Sequence, residues 1–164
     1  MVRRIRPTEG RHLRDVRLRA LQSDPEAFGS SYELEGALSE VAWDQRAASS
    51  ASGGVECVFV AEGRPALIGM VGAYTPAEAG TVRHLYGLWV APEARGTGAG
   101  QALVDQVIAW SEQAGATEVQ LWVVTANLGA RRLYQRSGFV ETGFEQALPS
   151  NSSLTEILVT LPLR

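Results

Sequence analysis

Six consecutive residues, Arg95-Gly96-Thr97-Gly98-Ala99-Gly100, carry the strongest chemical signal in the sequence. Glycines at every second position let backbone N–H groups converge on an anion without interference from a Cβ. Arg95 adds a fixed positive charge on a planar fork that matches phosphate oxygens. Apolar residues at helical spacing follow (Leu103, Val104, Val107, Ile108, Trp110), so the run opens a helix whose N-terminus adds unpaired donors and a partial positive charge. These are the parts of a pyrophosphate cradle. The alternative is a tight strand–helix turn that needs glycine only for its own geometry. A P-loop is excluded, because Gln101 stands where its lysine belongs and the chain has no lysine at all. A dinucleotide fingerprint fits poorly: its glycines run Gly-x-Gly-x-x-Gly, and it wants an acidic residue at the end of the next strand, where Trp122 to Thr125 offer none.

Other reactive side chains are few. His84 lies on the apolar stretch leading into the glycine run and titrates in the range useful for proton transfer. Cys57 is the single cysteine, set in the alternation VECVFV, and reads as a small core filler; it allows neither an intrachain disulfide nor a cysteine-based metal cluster. No metal site is indicated. Seven arginines crowd the first twenty residues, from Arg3 to Arg19. They form either a solvated face or a rim that attracts an acidic substrate or cofactor phosphates. The net charge of −3 gives no general pull toward nucleic acid or an anionic membrane.

The elements that must position these residues follow from periodicity. Val2 to Arg6 alternates as a strand, Thr8 offers an N-cap, and Leu13, Val16, Leu18 and Leu21 trace a helix. Asp24-Pro25 reads as a cap with proline at the first helical position, followed by short helical pieces around Glu26 to Glu35 and Glu40 to Ala48. Ser49 to Gly54 reads as a loop. Val55 to Glu62 and Ala66 to Tyr74 form a hairpin around Gly63-Arg64-Pro65, and Val82 to Val90 is a third strand. A helix over Thr97 to Ala114 stops at Gly115, Glu118 to Val124 is a strand, and Asn127 caps a helix that runs to Ser137 and stops at Gly138. Phe139 to Leu148 and Ser153 to Leu163 close the chain as two strands. At 164 residues with no linker, the sequence describes one domain, 1–164. The order predicts a mixed α/β layer fold: a mostly antiparallel central sheet flanked by helices, with one strand–helix–strand crossover.

Two segments then resemble a known family. LWVAPEARGTGAGQALV looks like the acetyl-coenzyme A motif of the Gcn5-related N-acetyltransferases (GNAT), with Arg95, Gly98 and Gly100 at the matching spacing. TANLGARRLYQRSGF is similar to that family's second signature through Asn127, Tyr134, Gly138 and Phe139. The resemblance implies a GNAT-like sheet and acetyl-coenzyme A as cosubstrate. It implies that Leu88, Trp89 and Val90 offer backbone groups to the pantetheine arm and acetyl carbonyl. Arg95, Gly96, Thr97, Gly98, Ala99, Gly100 and Gln101 would cradle the pyrophosphate, Asn127 would touch the pantetheine arm, and Tyr134 would point at the sulfur. Seven residues is close to two helical turns, which also puts Asn127 and Tyr134 on one face. The expected reaction is direct attack by a primary amine on the thioester, with Tyr134 as general acid to the leaving thiolate.

The base is open. Many family members carry a glutamate in a pattern like Glu-Leu-Tyr-x-Leu where this chain reads HLYGL, so His84 is the candidate, with Glu33, Glu35 or a chain of waters as alternatives. Family resemblance puts the lip of the acceptor cleft at DPEAFGSSYE, where Phe28 and Tyr32 could stack on a substrate and Glu26, Glu33 and Glu35 could attract a cation. The expected partner is a small-molecule or peptide amine, with no nucleic acid and no membrane, and exposed strand edges would permit a homodimer. With no membrane-length apolar run and no leader, the expected location is the cytoplasm. A coenzyme A-binding sensor without catalysis is the alternative function, and a nicotinamide- or nucleotide-binding domain the remaining one.

Overall fold

Apolar side chains alternate along the central strands and feed two cores, one on each face of a single seven-stranded sheet. The computed structural model describes residues 1–164. The strands are β1 (Val2–Arg4), β2 (Glu56–Ala61), β3 (Gly69–Tyr74), β4 (Val82–Val90), β5 (Glu118–Val124), β6 (Val140–Leu148) and β7 (Asn151–Pro162). The helices are α1 (Gly10–Ser23), α2 (Tyr32–Gly36), α3 (Glu40–Ser50), α4 (Ala99–Gln113) and α5 (Leu128–Arg136), with 3-10 turns at Pro25–Ala27 and Pro92–Ala94. The spatial order is β1-β2-β3-β4-β5-β7-β6. Only β4 and β5 pair in parallel, joined by α4 as the predicted crossover; every other pair is antiparallel.

Strand β2 shows how the layers are built. Cys57, Phe59 and Ala61 face Leu103, Val104 and Val107 of α4, while Val58 and Val60 face Leu13, Val16 and Leu21 of α1 and Trp43 of α3. Both faces of the central strands are therefore buried, which requires helices on both sides. Leu103, Val104 and Val107 are completely buried, and truncating Leu103 to alanine in such a site costs about 2–5 kcal/mol. Cys57 is buried, and desolvation pushes its thiol up to about 12, so it is inert at neutral pH.

Every predicted strand and long helix is present, and several boundaries differ: β1 ends at Arg4 rather than Arg6, α4 begins at Ala99 rather than Thr97, and β7 begins at Asn151 rather than Ser153. Thr8 does not cap α1. Glu9 precedes the helix instead, and its carboxylate is drawn to the Arg3 guanidinium at 2.8 Å and the Arg6 backbone N–H at 2.9 Å. The predicted helical piece at Glu26–Glu35 splits into a 3-10 turn and α2, which the Ser31 side chain caps. Strand β3 begins at Gly69 rather than Ala66, because residues 64–66 are spent on the turn after Gly63. Helix α3 continues to Ser50, into the predicted loop, because Ala47 and Ser50 pack inward. No helix is long and apolar enough to cross a membrane.

Candidate active site

The sheet opens where the chemistry is expected. β4 pairs with β5 only from Val82 to His84, against Glu118 to Gln120, and the two strands diverge beyond that point. Gly87, at φ +66°, lies just past the last pair, and β4 also shifts register against β3 there. A left-handed glycine inside a strand marks a bulge, and this one turns the second half of β4 away from β5. Leu88, Trp89 and Val90 line the mouth of the wedge that results.

The glycine run closes that wedge. Gly96 (φ +77°) and Gly98 (φ +88°) are both left-handed, and a Cβ at either would meet nothing within 4 Å. They are glycines for their backbone angles and open outer surface. Gly100 differs: a Cβ there would fall 3.0 Å from Leu133 Cδ1, so its glycine lets α4 approach α5. Packing geometry thus accounts for Gly100, while Gly96 and Gly98 leave open space at the mouth of the cleft. Helix α4 begins at Ala99 with Gly98 as N-cap and no side chain capping its first turn. Its leading N–H groups stay available to an anion. Arg95, Gly96, Gly98, Gly100 and Gln101 line one cleft of about 450 Å³ together with Leu88, Val90, Asn127 and Arg136. The Thr97 hydroxyl donates to the Ala94 carbonyl at 2.6 Å, which pins the loop, and the Gln101 amide donates to Asp105 at 2.9 Å and Ser137 at 2.8 Å.

Asp24, read from sequence as a helix cap, has another role. Its Oδ2 accepts from Trp89 Nε1 at 2.8 Å and Arg95 Nη2 at 2.8 Å, while Arg95 Nε donates to the Val90 carbonyl at 2.9 Å. Burial alone would raise the Asp24 carboxyl, but the hydrogen bonds from Ser23, Trp89 and Arg95 outweigh it and hold it below the usual range. The indole of Trp89 belongs to the core under α1, with its Nε1 turned to Asp24 at the cleft.

The acetyltransferase (GNAT) family model matches residues 18–139, about three quarters of the chain. This protein belongs to the GNAT family. It is similar to the human N-acetyltransferase 8, 40% identical over 91 residues, a match that covers 53% of this chain and 40% of that protein. The segment shared thus spans less than half of that relative's length. Its fold matches a GNAT-family acetyltransferase from Streptococcus pneumoniae with a TM-score of 0.84 at 20% identity, over 100% of this chain and 99% of that one. It also matches a Salmonella typhimurium protein solved with its cofactor acetyl-CoA, with a TM-score of 0.76 at 15% identity, over 100% and 94% of the two chains.

Within this GNAT fold the remaining predicted residues separate. Asn127 is the N-cap of α5, its Oδ1 accepting from the Ala130 N–H at 3.2 Å, and it lines the glycine-loop cleft. Tyr134 lines a different cavity behind α5, with Val123 and Val159, and packs edge-on against Phe139 at 5.6 Å. Burial raises its phenol, which stays protonated. His84 is half-buried and tilted against the Tyr74 ring at 5.2 Å, and burial lowers its imidazole pKa, so it is neutral at pH 7.

The expected acceptor lip at Asp24–Glu33 is not assembled as such. Phe28 is buried, with the Arg17 guanidinium 5.1 Å over its ring; Tyr32 and Glu33 point outward from α2. Glu35 is buried and spoken for, bound by Arg17 at 2.9 Å and Arg46 at 3.1 Å. Burial would raise its carboxyl, yet the hydrogen bonds and charge of Arg17 hold it low, so it is a poor base. A second cavity, about 420 Å³, does lie on this side of the sheet, between α1, α3 and the strands. Its wall includes Arg17, Trp43 and Tyr86, none singled out from sequence. Arg17 was detectable: it stands four residues after Leu13 and four before Leu21, a charge on the apolar stripe of a helix.

Proposed function

We propose that this protein is an acetyl-coenzyme A-dependent N-acetyltransferase acting on a primary amine. One observation carries it: two outward-open, left-handed glycines and an uncapped helix N-terminus face the same cleft as the second half of β4. That cleft suits a long ligand with a pyrophosphate at one end. The Salmonella relative's acetyl-CoA supports the same choice of cosubstrate. Bound there, acetyl-coenzyme A would supply an acetyl group activated as a thioester.

The chain's own residues divide the remaining work. Gly96 to Gln101, Arg95 and Arg136 would hold the phosphates, through backbone N–H groups and fixed charge. The backbone of Leu88 to Val90 would orient the arm and offer N–H groups to the developing oxyanion. Asn127 would sit beside the arm at the start of α5. The nitrogen–carbon bond forms as the carbon–sulfur bond breaks; the amine proton leaves to a base and the sulfur takes a proton. We keep His84 as that base, because it is neutral and stands behind Tyr74, which lines the second cavity. Tyr134 is the proposed donor to sulfur: its buried phenol stays protonated, and its ring, which lines the cavity behind α5, would have to turn toward the glycine-loop cleft to deliver the proton. The acceptor would enter through the second cavity.

The test is a thermal melt with acetyl-coenzyme A, NAD and ATP in parallel, followed by thiol release with an amine panel. A native-state ligand at about 100 times its Kd adds roughly 2.7 kcal/mol, which raises Tm by roughly 5–10 °C for a chain of this size. A rise with acetyl-coenzyme A alone supports the reading. A rise with NAD or ATP instead sinks it, and binding without turnover of any amine favours a sensor.

A further inference from the structure

Three buried side-chain nitrogens have no hydrogen-bond partner in the chain: Arg17 Nη1, Trp43 Nε1 and Arg83 Nε. The first two belong to residues that line the second cavity. Both are donors with no acceptor capacity, so they call for an acceptor atom, from water or from a ligand. A buried donor without a partner is unfavourable, and two beside one cavity mark a place built to be filled.

The electrostatics specify the ligand further. Arg17 and Arg46 share the single carboxylate of Glu35, so this wall carries one surplus positive charge. Glu56 lines the cavity near Tyr74, its partner across β2 and β3, and makes no ion pair. The cavity is therefore cationic toward α1 and anionic toward the start of β2. Tyr74 and Tyr86 form an aromatic wall between, with ring centroids 5.9 Å apart. Gly72 makes room for that wall, because a Cβ there would lie 2.4 Å from the Tyr86 ring.

Position supplies the last constraint. A Cβ on Gly87 would fall 2.9 Å from Arg17 Nη1, so the unpaired nitrogen sits against the β4 bulge. Leu88, the next residue, lines the glycine-loop cleft. With the thioester beside Leu88, as proposed above, a group held by Arg17 would lie near the attacking amine, and one small molecule could carry both.

We propose that the acceptor is an amino carboxylate, an amino acid with a free carboxylate next to its amine, rather than a polyamine or a lysine side chain within a protein. Its carboxylate takes the Arg17 and Trp43 donors, and its side chain lies along Tyr74 and Tyr86. The inference rests on the acetyltransferase reading. The products are an N-acetyl amino carboxylate and free coenzyme A. The Arg17 charge also favours the neutral, nucleophilic form of the neighbouring amine.

The test compares phenylalanine, phenylalaninamide and phenethylamine, then the other natural amino acids, by thiol release and by calorimetry in the presence of coenzyme A. The free amino acids should exceed their uncharged analogues in kcat/KM by about tenfold to a hundredfold, the size of a charge-assisted hydrogen bond. Trp43→Phe and Arg17→Lys should shrink that ratio to within about threefold while leaving the KM for acetyl-coenzyme A unchanged. Melting curves verify folding, and Trp43→Phe carries the test if Arg17→Lys does not fold. Equal turnover of amide, amine and amino acid overturns the proposal. So does turnover of polyamines or peptides with no binding of any amino acid, although the acetyltransferase reading then stands. If acetyl-coenzyme A fails to raise Tm, the transferase reading falls first and this inference with it.

Discussion

Arg95 is tied to Asp24 across the mouth of the glycine-loop cleft, Nη2 to Oδ2 at 2.8 Å, while its Nε rests on the Val90 carbonyl at 2.9 Å. The cleft's cation is therefore paired with a carboxylate that itself lines the cleft. An incoming polyphosphate competes with that carboxylate. Asp24→Asn keeps an acceptor for the Trp89 indole but removes the charge. It should tighten coenzyme A binding by about three- to tenfold, an effect that salt diminishes. Calorimetry at two ionic strengths reads it; weaker binding would mean that Asp24 positions Arg95 productively.

The two open glycines make a separable prediction. Gly98→Ala meets no neighbour, so its cost is backbone strain alone, about 1–2 kcal/mol. Gly100→Ala instead presses on Leu133 and should disturb the α4–α5 contact. Gly98→Ala should weaken coenzyme A binding more than Gly100→Ala does. Denaturant melts together with Kd values distinguish the two.

Tyr134→Phe removes one hydroxyl from a ring whose packing on Phe139 is preserved. Stability should hold, the KM for acetyl-coenzyme A should stay, and kcat should drop about a hundredfold. Undiminished kcat would leave Tyr134 as a core aromatic beside α5.

The His84 imidazole is lowered by burial. If it is the base, activity falls as pH drops through a value under the ordinary 6.5, and is on its plateau by pH 7. His84→Gln should abolish that acidic limb of kcat/KM. A limb that survives the substitution assigns the base elsewhere.

Acid stability should depend on the N-terminal ion cluster. Hydrogen bonds from Arg3 lower the Glu9 carboxyl to about 2, against an ordinary 4.5. A carboxyl depressed in the folded state stabilises above its unfolded pKa, and the gain disappears as pH falls through the folded one. The window is thus about pH 4.5 down to 2. Solvent screening limits the gain to about 1–2 kcal/mol. Glu9→Gln should flatten the fall in Tm across that window.

Local patterns in the sequence resolved the part of this protein that is locally determined. Val82–Val90 and Glu118–Val124 are strands at the bounds the sequence predicts, Asn127 caps α5, and Gly115 and Gly138 are left-handed stops at φ +75° and +97°. What escaped depends on residues far apart in the chain. Asp24 and Arg95 are 71 positions apart, and Arg17 and Glu35 are 18 apart across two helices. The opening between β4 and β5 was equally invisible, because the apolar character of β4 continues through Leu88, Trp89 and Val90, past the point where pairing ends. Phe28 reads from sequence as a substrate-stacking aromatic on the cleft lip, yet it is buried, with the Arg17 guanidinium over its ring.

The short parallel seam between β4 and β5 has a mechanical meaning. The sheet is two panels, β1–β4 and β5–β7, stitched at one end by three residue pairs and bridged outside by α4. Seen this way the protein is a hinged book, with its spine at Val82–His84 and its open edge at Val90. Whatever lies between the covers also fastens them. Loading the cleft should therefore stiffen the open edge between the panels, and amide exchange in the second half of β4 should report occupancy even without turnover.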